Sequence, residues 1–298
     1  MADYTKNDFI GQKSLGRHSK YSRYKVCKNF FGGKNFNFVC NPEIFPPRDP
    51  DLFRIITINC NRFPYSSWSE SILTCLLLSS LPDVLVLQEI KCMSDLRSCV
   101  ILANKSPLPG NFGTFTGKEN TSGLNLAVVY SLDSLARNFK TELFQDFDVD
   151  SLYSLRRPFQ LTGFLKIKRL HFMNLHGVSR SQRDNQAIRL ACLVAMNDYF
   201  LDPEKLEGMI IGGDWNIDSN DPLMQHTFPE FNVFIDNYFS ATDHFIISNA
   251  LISPEDIDVV TQHEMDIESY IGIMPEYYFI YFSDHLPVIV DIPLVLLK

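Results

Sequence analysis

Short apolar runs recur along this chain, and a carboxylate, an amide or a histidine stands at one end of each. Phe53 to Ile58 leads into Asn59, Val84 to Leu87 into Gln88-Glu89, and Leu170 to Leu175 into His176. Met209-Ile210-Ile211 leads through two glycines into Asp214-Trp215-Asn216. Asp243-His244 precedes Phe245 to Ser248, and Ser283-Asp284-His285 opens the last apolar run from Val288. Runs this short and this apolar read as buried strands. Polar residues repeated at strand ends gather on one rim of a sheet, where pockets form. Collecting carboxylates there is costly unless a cation neutralises them. Carboxylate, amide and water oxygens suit a hard ion such as Mg²⁺ or Mn²⁺.

The stretch Gly212-Gly213-Asp214-Trp215-Asn216-Ile217-Asp218 is the centre of this pattern. Its glycines let the backbone turn sharply at the strand end. Asp214 and Asn216 stand two apart, so an extended segment points both side chains the same way. An anion that can hold a cation beside an amide that can donate and accept suits a phosphate bound next to a metal. The same residues also suit an ordinary Asx turn, and this stretch alone leaves both readings open.

Between the strands, 66–80 reads as a Ser-capped helix with Trp68, Ile72, Leu76 and Leu77 on one side. Residues 92–103 and 182–200 read as further helices, and 124–130 and 159–167 as strands. An acidic stretch ends in Tyr153-Ser154-Leu155-Arg156-Arg157-Pro158. Pro46-Pro47-Arg48-Asp49-Pro50 marks a boundary, with a basic, aromatic-rich N-terminal extension (1–50) before a catalytic domain (51–298). The extension carries nine Lys/Arg against four Asp/Glu, a charge of +5. The remainder carries 18 against 31, a charge of −13. So acidic a body excludes a broad DNA-coating surface but not a local basic groove. Basic residues among aromatics can grip nucleic acid, and equally form a plain extension. No apolar run is long enough to cross a bilayer. Seven cysteines without a CxxC pair, and an N-terminus lacking an apolar signal core, read as an intracellular protein.

Taken together, Ile58-Asn59-Cys60-Asn61, Gln88-Glu89, Asn174-Leu175-His176, Gly213-Asp214-Trp215-Asn216, Asp243 to Ser248 and Ser283 to Val288 resemble the endonuclease/exonuclease/phosphatase superfamily, the DNase I-like fold. The resemblance spans about residues 53–292. It implies an α/β fold, a four-layered α/β/β/α sandwich of two mixed sheets flanked by helices. It implies divalent-metal-dependent hydrolysis of phosphate esters, with Mg²⁺ or Mn²⁺ held by Glu89, Asn59 and Asp284. It casts Asp214 and Asn216 as the residues that orient the nucleophile and hold the scissile phosphate. His285 stands beside that phosphate with Asp243 as its partner, and His176 is the second histidine. Tyr153 and Arg156 or Arg157 fall where the family places phosphate-facing groups. Asn61 replaces an acid found in several DNA-repair members. Ser181 to Asn185 is similar to the catalytic subunit of cytolethal distending toxin. The implied substrate is nucleic acid, DNA ahead of RNA. Protein-linked DNA and lipid or small phosphate esters of the phosphoinositide or sphingomyelin kind are the alternatives, and protein partners are left open.

Overall fold

The computed structural model describes residues 48–297 apart from 65–66, 106–109, 119–123, 144–158, 166–167, 178–206, 235–241, 273–277 and 280–281. Twelve strands form among these: β1 Leu52–Phe63, β2 Val84–Ile90, β3 Phe112–Lys118, β4 Asn125–Ser131, β5 Ala136–Leu143, β6 Phe159–Leu165, β7 Lys168–His176, β8 Met209–Asp214, β9 Phe231–Val233, β10 Asp243–Ser248, β11 Thr261–Glu264 and β12 Val288–Pro293. Helices α1 (Ser67–Ser80), α2 (Met93–Lys105), α3 (Pro222–Thr227) and α4 (Ile267–Ile271) lie between them. The strands make two six-stranded sheets, ordered β11-β12-β1-β2-β4-β3 and β5-β6-β7-β8-β10-β9. Each sheet is mixed: β1 runs parallel to β2 and β7 to β8, with antiparallel neighbours outside them.

Strand alternation sorts the apolar residues into layers. Phe53, Ile55, Val84, Val86, Val128, Val288 and Val290 face Leu161, Leu170, Phe172, Ile210, Phe245 and Ile247 across the gap between the sheets. The alternate residues Ile56, Ile58, Leu85, Leu87, Ala127, Val129 and Ile289 face outward onto α1, α2 and α4. Both faces of β2 are therefore covered, which is why its sequence is an unbroken apolar run. On the second sheet, Met173, Leu175, Met209, Ile211 and Ile246 pack under Trp215, Ile217, Met224 and Phe228. The helix expected over 182–200 lies outside the described residues. Among the described residues no helix is long and apolar enough to cross a membrane. Cys60, Cys75, Cys92 and Cys99 are free thiols.

At the end of the first sheet away from the strand-end polar residues, Arg54 and Asp291 pair across β1 and β12, with two contacts of 2.8 Å. Arg54 also donates to the Ser80 carbonyl at the end of α1, so one buried cation ties sheet to helix. Burial alone would lower its pKa, but Asp291 outweighs that and raises it.

Several elements differ from the sequence reading. β1 and β2 run on past Asn59 and Glu89 rather than stopping there, and β10 begins at Asp243 itself. The edge strands β3, β5, β9 and β11, and helix α3, carry too few patterned residues to stand out in the sequence.

Candidate active site

Strand direction decides which polar residues meet. β1 and β2 are parallel, so Asn59 and Glu89 arrive at the same rim. β7 and β8 are parallel and in register, so their last residues, His176 and Asp214, are direct partners. β10 runs the other way, which sets its first residue, Asp243, opposite Asp214. β12 is antiparallel to β1, so the turn before it carries Ser283, Asp284 and His285 to the same edge. Residues that end parallel strands and begin antiparallel ones thus converge on one spot.

Two features hold the rim together across the sheets. Asn59 donates through Nδ2 to Asp214 Oδ2 at 2.9 Å, while its Oδ1 accepts the Asn61 amide at 3.0 Å. Just below, Gln88 donates to Asn174 Oδ1 at 2.7 Å, and Asn174 donates to the carbonyls of Leu87 and Ala127 at 2.8 and 2.9 Å. All four side chains are buried, where satisfied polar groups fix a unique geometry. Ser283 adds a third tie: its hydroxyl donates to the Asn59 carbonyl and accepts the His285 amide. Gln88, Asn174 and Ser283 carried no role in the sequence reading. Their signal was present all the same, as lone amides inside apolar strands and a hydroxyl beside Asp-His.

Asp214 is 1% exposed. Besides Asn59 it accepts the Asn216 amide on Oδ1 at 2.9 Å, and His176 Nε2 lies 3.7 Å from Oδ2. Gly213 allows this approach: its φ is +153°, and an added Cβ would stand 1.9 Å from the Leu175 carbonyl oxygen. The Trp215 indole donates to the His244 carbonyl and stacks on that ring, pinning the turn from below.

Glu89 accepts no hydrogen bond among the described residues. Among the described residues its one ion-pair contact is His176 Nε2, 3.7 Å from Oε1. Among the described residues, four of the five non-glycine residues at positive φ lie here: Asn61, Arg62, Glu89 and Asn216. The pairing of β1 with β2, and of β2 with β4, slips at the same place, between Asn59 and Phe63 and between Leu87 and Ile90. These bulges re-aim side chains at the rim, and left-handed backbone at a Glu costs about 1 kcal/mol or more.

His285 Nδ1 lies 2.5 Å from Asp243 Oδ2. Burial opposes charge on the ring, but Asp243, followed by Asp214 and Asp284, overrides it and raises the pKa to about 10. The ring is an imidazolium at neutral pH, with Nδ1 committed to Asp243 and Nε2 facing outward. Asp284 is two-thirds exposed, its Oδ1 4.0 Å from His285 Nε2.

Of the residues singled out in the sequence, Asn59, Glu89, His176, Asp214, Asn216, Asp243, Asp284 and His285 thus lie on one rim. Tyr153, Arg156, Arg157 and the 181–185 stretch lie outside the described residues. Among the described residues, ligand atoms of Asp214, Asp243 and His285 all fall within 4.8 Å of one another. The 2.5 Å contact within that group fits a shared proton rather than two ligands of one ion, since oxygens around Mg²⁺ at about 2.1 Å stand roughly 3 Å apart. The group open to a cation is Glu89, a carboxylate that accepts no hydrogen bond among the described residues.

Similarity to solved structures decides the fold. The complex of D. rerio TDP2 with a single-strand DNA product superposes at a TM-score of 0.56 with 15% identity, covering 80% of this chain and 98% of that one. The endonuclease domain of TRAS1, a telomere-specific non-LTR retrotransposon, gives 0.52 and 11%, over 82% and 99%. An endonuclease/exonuclease/phosphatase family protein from Bacteroides thetaiotaomicron gives 0.51 and 14%, over 82% and 98%. This chain has the endonuclease/exonuclease/phosphatase fold. The four-layered DNase I-like architecture implied by the sequence is thereby established, although no protein-family model and no curated protein matches the sequence. In this fold the rim from Asn59 to His285 occupies the mouth of the sandwich, where the two sheets' parallel strand pairs end.

Proposed function

We propose that the chain is a divalent-metal-dependent phosphodiesterase acting on nucleic acid, DNA ahead of RNA. One observation carries the reading. A donor-free carboxylate, a buried carboxylate held by two hydrogen bonds and a carboxylate-paired imidazolium share one rim. The residues fit a hard cation: Glu89, the Asn59 amide oxygen and Asp284 offer oxygen ligands only, and among the described residues Glu89 accepts no hydrogen bond, its one ion-pair contact being His176 at 3.7 Å. Mg²⁺ or Mn²⁺ there would neutralise charge on a phosphate's non-bridging oxygens.

The chain's own groups supply the rest. Asp214, fixed by Asn59 and the Asn216 amide, accepts a proton from the attacking water and orients it in line with the leaving oxygen. The Asn216 side chain and His285 Nε2 donate to the phosphate, where charge builds in the transition state. Asp243 fixes the direction of the His285 ring and stabilises its charge, and His176 bridges Glu89 and Asp214. Tyr153 and Arg156 or Arg157 are the proposed further phosphate contacts, and residues 1–50 a basic arm that engages long substrates. Likeness to TDP2 with a DNA product and to the TRAS1 endonuclease domain supports DNA. The acidic net charge of −8 favours a lipid or small phosphate ester as the competing reading.

Glu89→Gln tests the reading. A panel of DNA, RNA, inositol phosphates and sphingomyelin, with Mg²⁺ and with EDTA, identifies the substrate. The variant keeps its fold and loses most turnover on it. Wild-type turnover by Glu89→Gln at limiting Mg²⁺ would overturn the assignment.

A further inference from the structure

Ser283 takes no part in the chemistry above, yet it joins the two halves of the rim. It is 1% exposed. Its hydroxyl accepts the His285 amide at 3.0 Å. That half of its bonding is ordinary, since a serine in a turn often accepts the amide two residues on. The other half is not. The same hydroxyl donates to the Asn59 carbonyl, 224 positions away on β1. An aspartate would serve the turn equally, but only a group that also donates can serve the strand.

Followed outward from Ser283, the contacts close into a ring. Asn59, whose carbonyl Ser283 holds, reaches Asp214 through its side chain at 2.9 Å. Asp214 and Asp243 are register partners on β8 and β10. Asp243 meets His285 Nδ1 at 2.5 Å, and the His285 amide returns to Ser283. The ring crosses between the sheets twice, at Asn59–Asp214 and at Asp243–His285. Every other member is a candidate reacting group or ligand; Ser283 is neither. An imidazole held only at Nδ1 can still pivot about that contact, so aiming its Nε2 requires the backbone at 285 to be held as well. The chain just before it is fastened at Phe282 and Ser283, whose amides donate to the Tyr278 carbonyl at 2.9 and 3.3 Å. The Ser283 hydroxyl extends that hold to His285 and ties it to β1.

We propose that Ser283 is a positioning residue that registers His285 against the strand carrying Asn59, so that Nε2 stays aimed at the phosphate Asp214 serves. The proposal rests on the rim being the catalytic site. Removing the hydroxyl would free the His285 backbone while leaving every reacting group in place.

The test is Ser283→Ala in the full chain, with two readouts. The first needs no substrate: the low-field NMR resonance of the proton between His285 and Asp243, at fixed pH in EDTA, should shift or broaden. The second is a double-mutant cycle on the substrate identified for the wild type. Ser283→Ala should lower kcat about tenfold with KM nearly unchanged. In the His285→Ala background the same substitution should change kcat by less than about twofold, because residues acting as a unit are non-additive. A merely structural serine, or one acting on Asp214 alone, would cost the same factor in both backgrounds. That result, or an unmoved resonance, overturns the proposal. If Ser283→Ala folds poorly, Ser283→Cys keeps a side chain of similar shape with only a weak donor, and the same resonance must move. A wild type inactive on every phosphate ester of the panel would refute the functional reading yet leave the resonance decisive for Ser283.

Discussion

Asn59→Asp puts the inter-sheet contact under direct strain. Asn59 Nδ2 lies 2.9 Å from Asp214 Oδ2, and both residues are at most 3% exposed. Were both carboxylates ionised, their repulsion would reach about 6 kcal/mol at an effective dielectric constant of about 20. The folded protein avoids part of that by keeping a proton on the introduced carboxyl, which then donates to Asp214 as the amide did. The unfolded chain has no such need, so its carboxyl ionises near pH 4. A group whose folded pKa is raised makes stability fall as pH rises, here by about 1.4 kcal/mol per pH unit above pH 4 until the repulsion limit is met. The cost is about 1.4 kcal/mol at pH 5 and about 5 kcal/mol at pH 8. At about 2–4 °C per kcal/mol for a domain of this size, the variant should melt roughly 7–14 °C lower at pH 8 than at pH 5, beyond any wild-type drift. Scanning fluorimetry in EDTA reads this directly, and added Mg²⁺ should restore part of the loss at pH 8. Wild-type melting across that range, without Mg²⁺ dependence, would refute both the contact and the burial of its partners.

Gly213→Ala should destabilise by about 3 kcal/mol or more, read by urea denaturation, because the added methyl meets the Leu175 carbonyl oxygen at 1.9 Å and φ is unsuited to alanine. Cys60 and Cys99 should resist Ellman's reagent in the native protein while half-buried Cys92 reacts, as mapped by mass spectrometry; rapid labelling of all three would contradict the core. Burial raises the Cys99 pKa to about 12, so the folded protein keeps a proton that the unfolded chain loses, and stability should fall as pH rises from 9.0 towards 12. His285 has the opposite charge type: its raised pKa gives stability that is whole below pH 6.5 and lost as pH rises through about 10. In EDTA the wild-type urea midpoint should drop as pH rises from about 6.5 towards 12, and Asp243→Asn should remove the part due to His285, between about pH 6.5 and 10.

Much of the rim was legible because strand ends advertise themselves. An apolar run that stops at a carboxylate or histidine records both the strand and the place where its backbone meets solvent, and the known order of such runs adds the fold. Bulges were not legible. Asn61, Arg62 and Glu89 sit in left-handed backbone within β1 and β2, which the sequence reading ended early, since propensity gives no reason for a Glu there. Nor was the direct contact between Asn59 and Asp214. The two are 155 positions apart, and only the docking of the sheets brings them together. The sequence suggested Asn59 as a ligand, whereas its amide also serves as the donor that steadies a buried carboxylate. The pairing of Asp243 with His285 was legible, because Asp243 begins β10 and His285 lies in the turn just before β12.

The amide ladder from Gln88 to Asn174 has a consequence for when the proposed activity could begin. Half of the rim rides on one sheet and half on the other, and neither half holds a complete set of reacting groups. A chain still being synthesised, or one that has formed only its first sheet, has Asn59 and Glu89 but neither Asp214 nor Asp243. Assembly is thus its own safety catch. The hydrolysis proposed above would be withheld until the amides of Gln88 and Asn174 have met across the gap, and a partly opened molecule would fall silent before it falls apart.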